Sequence, residues 1–126
     1  MEIVLGPILR LRAVEPDPAR WRVSVLVVVH GAAAPVLTAT GAAASIGAPE
    51  LLAEPAGKRV WTIELDLRRE AAAAEVVYSL GGAASWRFTV PATSERPRMA
   101  YGSCNGVSTM KLAKAQKEPF ALWREL

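Results

Sequence analysis

One cysteine, one histidine and two aspartates make up most of the side-chain chemistry that this 126-residue chain does not have in quantity. A single cysteine, Cys104, cannot close an internal disulfide, which excludes a stapled secreted scaffold. The lone histidine, His30, ends a hydrophobic stretch beside Gly31, and no carboxylate stands within a dozen residues of it in sequence. A strand-end or turn histidine is therefore a better reading than a base or a ligand. Asp17 sits in a turn between prolines, and Asp66 lies on the polar side of an alternating segment. Neither joins a local cluster with histidine or cysteine, so no complete zinc, calcium or binuclear site can be read.

Long hydrophobic runs are missing too. The longest, "VSVLVVV", falls far short of the roughly 20 residues that a membrane span requires. The opening "MEIVLGPILRL" has neither a basic leader nor a small-residue cleavage site, so it is not a signal peptide, and a cytoplasmic location is expected. No phosphate-cradling loop is present either, because "GSCNG" is not followed by Gly-Lys-Ser/Thr. The net charge is +3 and the isoelectric point about 9.4, but the arginines are spread along the chain and aromatics are only 6% of it. Nucleic-acid binders concentrate basic residues on one face and interleave aromatics, so no nucleic-acid partner is expected. Arg10, Arg12, Arg20 and Arg22 could form a small anion-binding stripe on adjacent strands. Solvated outer-face charges account for them equally well.

Strand patterns are what the sequence does contain. "RVWTIELDL" places Trp61, Ile63, Leu65 and Leu67 on one face and Thr62, Glu64 and Asp66 on the other. That is the period of a strand with one buried and one wet face. "SWRFTV" repeats it through Trp86, Phe88 and Val90, and "EVVYSL" more weakly through Val76, Tyr78 and Leu80. "RWRVSVLVVVH" alternates at first and then becomes apolar on both faces, as a central strand does. "ILRLRAV" sets Leu9 and Leu11 against Arg10 and Arg12, and "PVLTAT" is a shorter candidate. Turn residues join these segments at Pro16-Asp17-Pro18, Gly31, Gly47-Ala48-Pro49, Pro55-Ala56-Gly57 and Gly81-Gly82. "REAAAAE" fits a loop or strand extension better than a helix. The expected fold is all-β, an antiparallel β-sandwich of immunoglobulin or fibronectin type.

Composition changes at "VPATSERPR", where prolines, small hydroxyls and charges mark a linker at residues 93–97. Residues 98–126 then read as one strand, "MAYGSC", and a helical segment. Phe120, Trp123 and Leu126 fall on one helical face, with Glu118 and Pro119 in the opening turn. Lys111, Lys114 and Lys117 suggest an exposed helical face. Cys104 lies at the end of the strand between Gly102 and Gly106, where a chain turns sharply and backbone can approach a ligand. Its thiolate could act as nucleophile or metal ligand, and a buried small residue is the plainer alternative.

"RMAYGSCNGVSTMKLAKAQKEPFALWREL", with "GPILRLR" near the start as a secondary signal, resembles the PhoD-like metallophosphatases, the alkaline phosphatase D family. The likeness lies in Ser103-Cys104 ending a strand and in the following segment closing on Trp123 and Leu126. It implies an N-terminal β-sandwich accessory domain at 1–92, the linker 93–97, and at 98–126 the first strand and helical segment of a truncated metallophosphoesterase domain. It also implies that Cys104 ligates an active-site iron, with calcium nearby, and that the parent hydrolyses phosphate esters. The remaining ligands would come from Gly-Asp and Asn-His motifs that this sequence does not contain, so the chain alone is expected to be inactive. The missing catalytic domain is one expected partner, and self-association through Phe120, Trp123 and Leu126 is another. Two readings compete: a stand-alone β-sandwich binding or interaction module without catalysis, and a small cysteine-dependent enzyme with His30 as its base.

Overall fold

Val, Ile and Leu at every second position favour extended chain, because branched side chains fit a pleated surface and can all be buried from one side. The computed structural model describes residues 1–12, 17–42, 44–82 and 84–96. They lie within one compact unit, Met1–Arg96. Eight strands are found there: β1 (Glu2–Leu11), β2 (Arg20–His30), β3 (Leu37–Thr40), β4 (Ala44–Ile46), β5 (Glu50–Ala53), β6 (Lys58–Arg68), β7 (Ala74–Leu80) and β8 (Ser85–Val90). A single 3-10 turn, Pro55–Gly57, is the one helical element among the described residues. The fold of this unit is antiparallel β throughout, as expected from the alternation.

Five strands form one sheet in the order β1-β2-β6-β4, with β5 also paired to β6, and β3-β7-β8 form a second. β2 and β6 are its longest pair, matched residue for residue from Arg20↔Arg68 to His30↔Lys58. β4 and β5, which no alternating pattern marks in the sequence, pair successive stretches of the same edge of β6. They amount to one edge strand interrupted at Gly47-Ala48-Pro49, where the Gly47 N–H still donates to the Glu64 carbonyl at 2.8 Å.

Both sheets contribute to one buried cluster. The larger supplies Val23, Val25, Val27, Val29, Trp61, Ile63, Leu65 and Leu67, and the smaller supplies Leu37, Val76, Tyr78, Leu80 and Val90. Each fully buried aliphatic is worth about 1.5–3 kcal/mol against exposure, so this cluster is the main stabilising element. Trp86 and Phe88 pack partly buried against it, and Tyr78 meets their rings at centroid distances of 5.7 and 5.9 Å. Burial pushes the Tyr78 hydroxyl's pKa up.

β1 departs from expectation. It starts at Glu2 and pairs with β2 through two register shifts, one between Ile3 and Leu5 and one between Leu5 and Ile8 across Gly6-Pro7. Leu9 and Leu11 do lie opposite the buried Val25 and Val23, but Leu9 remains 37% exposed on an edge strand with a single neighbour.

The described part of the segment read as a linker is tied to the sheets. Ala92 is buried, and the Thr93 N–H donates to the Glu70 carbonyl at 2.8 Å. The Arg69 guanidinium donates to the carbonyls of Pro18, Pro91, Ala92 and Glu95 and lies over the Trp21 ring. Residues 98–126, including Cys104 and the Phe120/Trp123/Leu126 face, lie outside the described residues.

Candidate functional site

Strand pleating sorts the larger sheet into two faces. The odd-numbered valines of β2 enter the core, so its even-numbered residues point to the opposite, outer face. Residues directly opposite in an antiparallel pair share a face, so the register assigns the neighbours. Leu5, Val28 and Val60 form one outer row across β1, β2 and β6, and Ile8, Leu26 and Thr62 form the next. Leu5 is 56% and Ile8 47% exposed, while Leu26, Val28 and Val60 are half-buried.

Glu50 of β5 stands opposite Thr62 at the end of the second row, and beyond it the same face becomes richly charged. Arg10, Ser24 and Glu64 line up next, then Arg12, Arg22, Asp66 and Ser45, and last Arg20 with Arg68. The arginine stripe expected from the sequence is thus assembled on one surface, joined by Arg68. Two carboxylates are interleaved with it. Arg20 holds Asp66 through both guanidinium and carboxylate edges, with Nε to Oδ1 at 3.4 Å. Arg12 Nε lies 3.6 Å from Glu64 Oε1. The hydrogen bond from Arg20, aided by the charges of Arg20, Arg22 and Arg68, lowers the Asp66 pKa despite its partial desolvation. Arg10 and Arg68 form no ion pair with another described residue. The charged half can attract anionic groups, and the apolar half can exclude water.

His30 lies exposed at the end of β2, in register with Glu2 on one side and Lys58 on the other. Strand pairing therefore supplies the neighbouring carboxylate that local sequence lacked, without gathering further catalytic groups. Asp17 accepts the Ala19 N–H at 2.9 Å and serves its turn. An open depression of about 420 Å³ is lined by Gly31, Ala32, Glu54, Gly57, Lys58 and Arg59. Its charges are largely spent on each other: Arg59 pairs with Glu54 at 2.6 Å and also donates to the Ala32 carbonyl.

Among the described residues no group of three His, Cys, Asp or Glu side chains could hold a metal ion. These residues do not fit the iron and calcium implied by the family resemblance, and Cys104 is not among them. None of the described helices is long and apolar enough to cross a membrane. Compared with protein-family models, curated proteins and solved structures, the chain matches none. The resemblance to PhoD-like enzymes therefore rests on the quoted residues alone.

The apolar half of the outer face was not anticipated. Its signal lies in "VLVVV", where Leu26 and Val28 break the alternation, a pattern that a central strand shares.

Proposed function

We propose that the β unit is an immunoglobulin- or fibronectin-like sandwich serving as the N-terminal accessory domain of a PhoD-like, metal-dependent phosphatase or phosphodiesterase. In this reading residues 98–126 open the catalytic domain, and Cys104 contributes to a metal site completed by residues of that domain. A cytoplasmic setting belongs to the same proposal. The observation that carries it is the Ser103-Cys104 motif, at the end of a strand-like segment that follows an all-β unit. A two-metal phosphoesterase needs several Asp, Asn and His ligands to clamp phosphate and activate water. The described unit offers none of that machinery, which supports an accessory role for it.

The chain alone, supplied with iron and calcium, is expected to release no p-nitrophenol from mono- or bis-(p-nitrophenyl) phosphate above the metal-only rate. Turnover that survives purification and disappears in Cys104→Ala would overturn the assignment of this chain as an inactive part. Reading the gene beyond codon 126 provides a second check. Gly-Asp and Asn-His motifs are expected there, and a stop codon would contradict the proposal.

One observation favours a second reading, a β-sandwich interaction module. The outer face of the larger sheet offers a water-excluding half beside an anion-attracting half without help from any catalytic residue. A stop codon after Leu126 would leave this reading standing.

A further inference from the structure

The two sheets differ in width. The larger is four strands across, β1-β2-β6 and the interrupted β4/β5 edge, whereas the smaller is three, β3-β7-β8. Contacts at both sides fix how they stack. β3 lies against β4, to which a short turn joins it. Arg69, just past β6, donates to the Pro91 and Ala92 carbonyls that follow β8 and lies over the Trp21 ring at the start of β2. Packed sheets keep their strand directions within about 30° of each other. β3 therefore faces β4, β7 faces β6 and β8 faces β2, and among the described residues no strand faces β1.

The inner side of β1 shows the result. Ile3, Leu9 and Leu11 stand opposite the buried Val29, Val25 and Val23, so all three point toward the smaller sheet. Near Ile3 this side is closed, because Met1 Cε lies 3.0 Å from where a Cβ on Gly81, in the β7–β8 turn, would stand. Leu9 is 37% exposed, Leu11 is half-buried, and neither joins the core cluster. Trp86 and Phe88, on the inward face of β8, are half-buried as well. A slot one strand wide thus runs between β1 and the free edge of β8. Free edges are ordinarily guarded by brevity, proline or bulges. β1 carries Pro7 and two register shifts, β4 and β5 are parted at Pro49, and β3 has four residues. β8 has no such guard: its six residues, Ser85–Val90, pair with β7 without a shift, and Pro91 only follows them. Its one charge, Arg87, lies 3.8 Å from Glu75 of β7.

The slot selects its occupant. The edge of β8 offers backbone N–H and C=O groups at alternate residues, which an extended peptide can pair and a lipid chain cannot. A second copy of the chain does not fit. Its own β8 faces its own β2, so two β8 edges at the usual spacing of about 4.8 Å would set the second copy's β2 where β1 already stands. A single strand meets no such obstacle among the described residues. We propose that an extended segment of another protein, with aliphatic side chains at alternate positions along the six-residue length of β8, adds to β8 as a fourth strand facing β1. Its backbone pairs with β8, and its aliphatic side chains cover Leu9, Leu11 and Phe88. Its remaining side chains join the exposed Ser85, Arg87 and Thr89 on the outer surface. The inference does not depend on the phosphatase reading.

The test uses the whole chain as bait for a displayed library of random linear peptides. Selected peptides are synthesised and measured against the parent and Leu9→Asp, with Leu5→Ser on the opposite face as a control. Both side chains are exposed, and a circular-dichroism melt confirms that each variant folds. Each peptide is also made in two forms, N-methylated at the odd or at the even backbone positions of its aliphatic segment. The expected result is alternation of aliphatic residues in the selected peptides. Affinity should fall at least about tenfold in Leu9→Asp and stay unchanged in Leu5→Ser. One N-methylated form should bind like the parent peptide and the other at least about tenfold more weakly, because an added edge strand pairs only alternate N–H groups. That pair of peptides decides the matter even where Leu9→Asp does not fold. No selected binder, binders without alternation, affinity indifferent to Leu9→Asp or lost in Leu5→Ser, or equal effects of the two methylated forms would overturn the proposal. So would a dimer of the chain in sedimentation that a selected peptide dissolves, since the occupant would then be a second copy.

Discussion

Asp66 and Arg20 show how a residue pair can look functional and still act mainly on the fold. Arg20 donates to both carboxylate oxygens, and that bond is the leading reason the Asp66 pKa is lowered. A carboxylate with a depressed folded pKa stabilises the protein above its unfolded value of about 3.9, and the contribution is lost as pH falls through the folded pKa. Asp66→Asn should therefore lower the urea midpoint at pH 7 and converge with the parent as the pH falls below the lowered pKa of the folded state. The side chains are 38% and 35% exposed, so the gap at pH 7 should stay below about 1 kcal/mol. A gap that widens in acid would contradict the assignment. Arg69 is a different case, with four backbone carbonyls as acceptors and the Trp21 ring beneath it. Nothing in "LRRE" distinguishes Arg69 from Arg68, because its partners come from distant parts of the chain.

At the scale of elements, turns carry constraints that strands do not. Gly41, between β3 and β4, has φ of 118°, and an added Cβ would stand 2.1 Å from the Glu75 carbonyl oxygen of β7. Gly31 has a similar φ of 103° but open space around it. Gly31→Ala should cost about 1 kcal/mol for its backbone conformation alone, and Gly41→Ala clearly more because backbone must also move. Equal losses in chemical denaturation would show that the turn at Gly41 is not pressed against β7. The elements legible in the sequence were those with one buried face. β6, β7 and β8 alternate visibly, and the Val-rich β2 announces a central position. β4 and β5 were not legible because alanine, glycine and proline give them no period, and their pairing is set by the edge of β6. The alternation in "ILRLRAV" begins only at Ile8, yet the strand starts at Glu2 and passes through Gly6-Pro7 with a register shift. The arginine stripe was visible as residue types, but its apolar neighbour was not. That patch exists only once Leu5 and Ile8 of β1 are set beside Leu26 and Val28 of β2.

For the whole molecule, the unit Met1–Arg96 holds one core cluster and its own edge contacts, and should fold alone. A chain ending at Arg96 should melt cooperatively. One ending at Ala92 should melt lower, because Arg69 loses the Glu95 carbonyl and Ala92 loses the Glu95 carboxylate as an acceptor. The difference should be about 1–3 kcal/mol, and Arg69→Ala in the longer chain should cost at least as much, because it gives up all four carbonyls and the Trp21 ring contact. Identical melts would mean that residues 93–96 contribute nothing to the unit. What this unit serves is the central question, and the product of the whole reading frame answers it most directly. Hydrolysis of bis-(p-nitrophenyl) phosphate should be measured for that product, loaded with iron and calcium, beside its Cys104→Ala variant. The account predicts metal-dependent turnover by the parent and a loss of at least about tenfold to a hundredfold in the variant, with the β unit still folded. A reading frame that ends at Leu126, or a longer product whose hydrolysis is indifferent to Cys104, would contradict it.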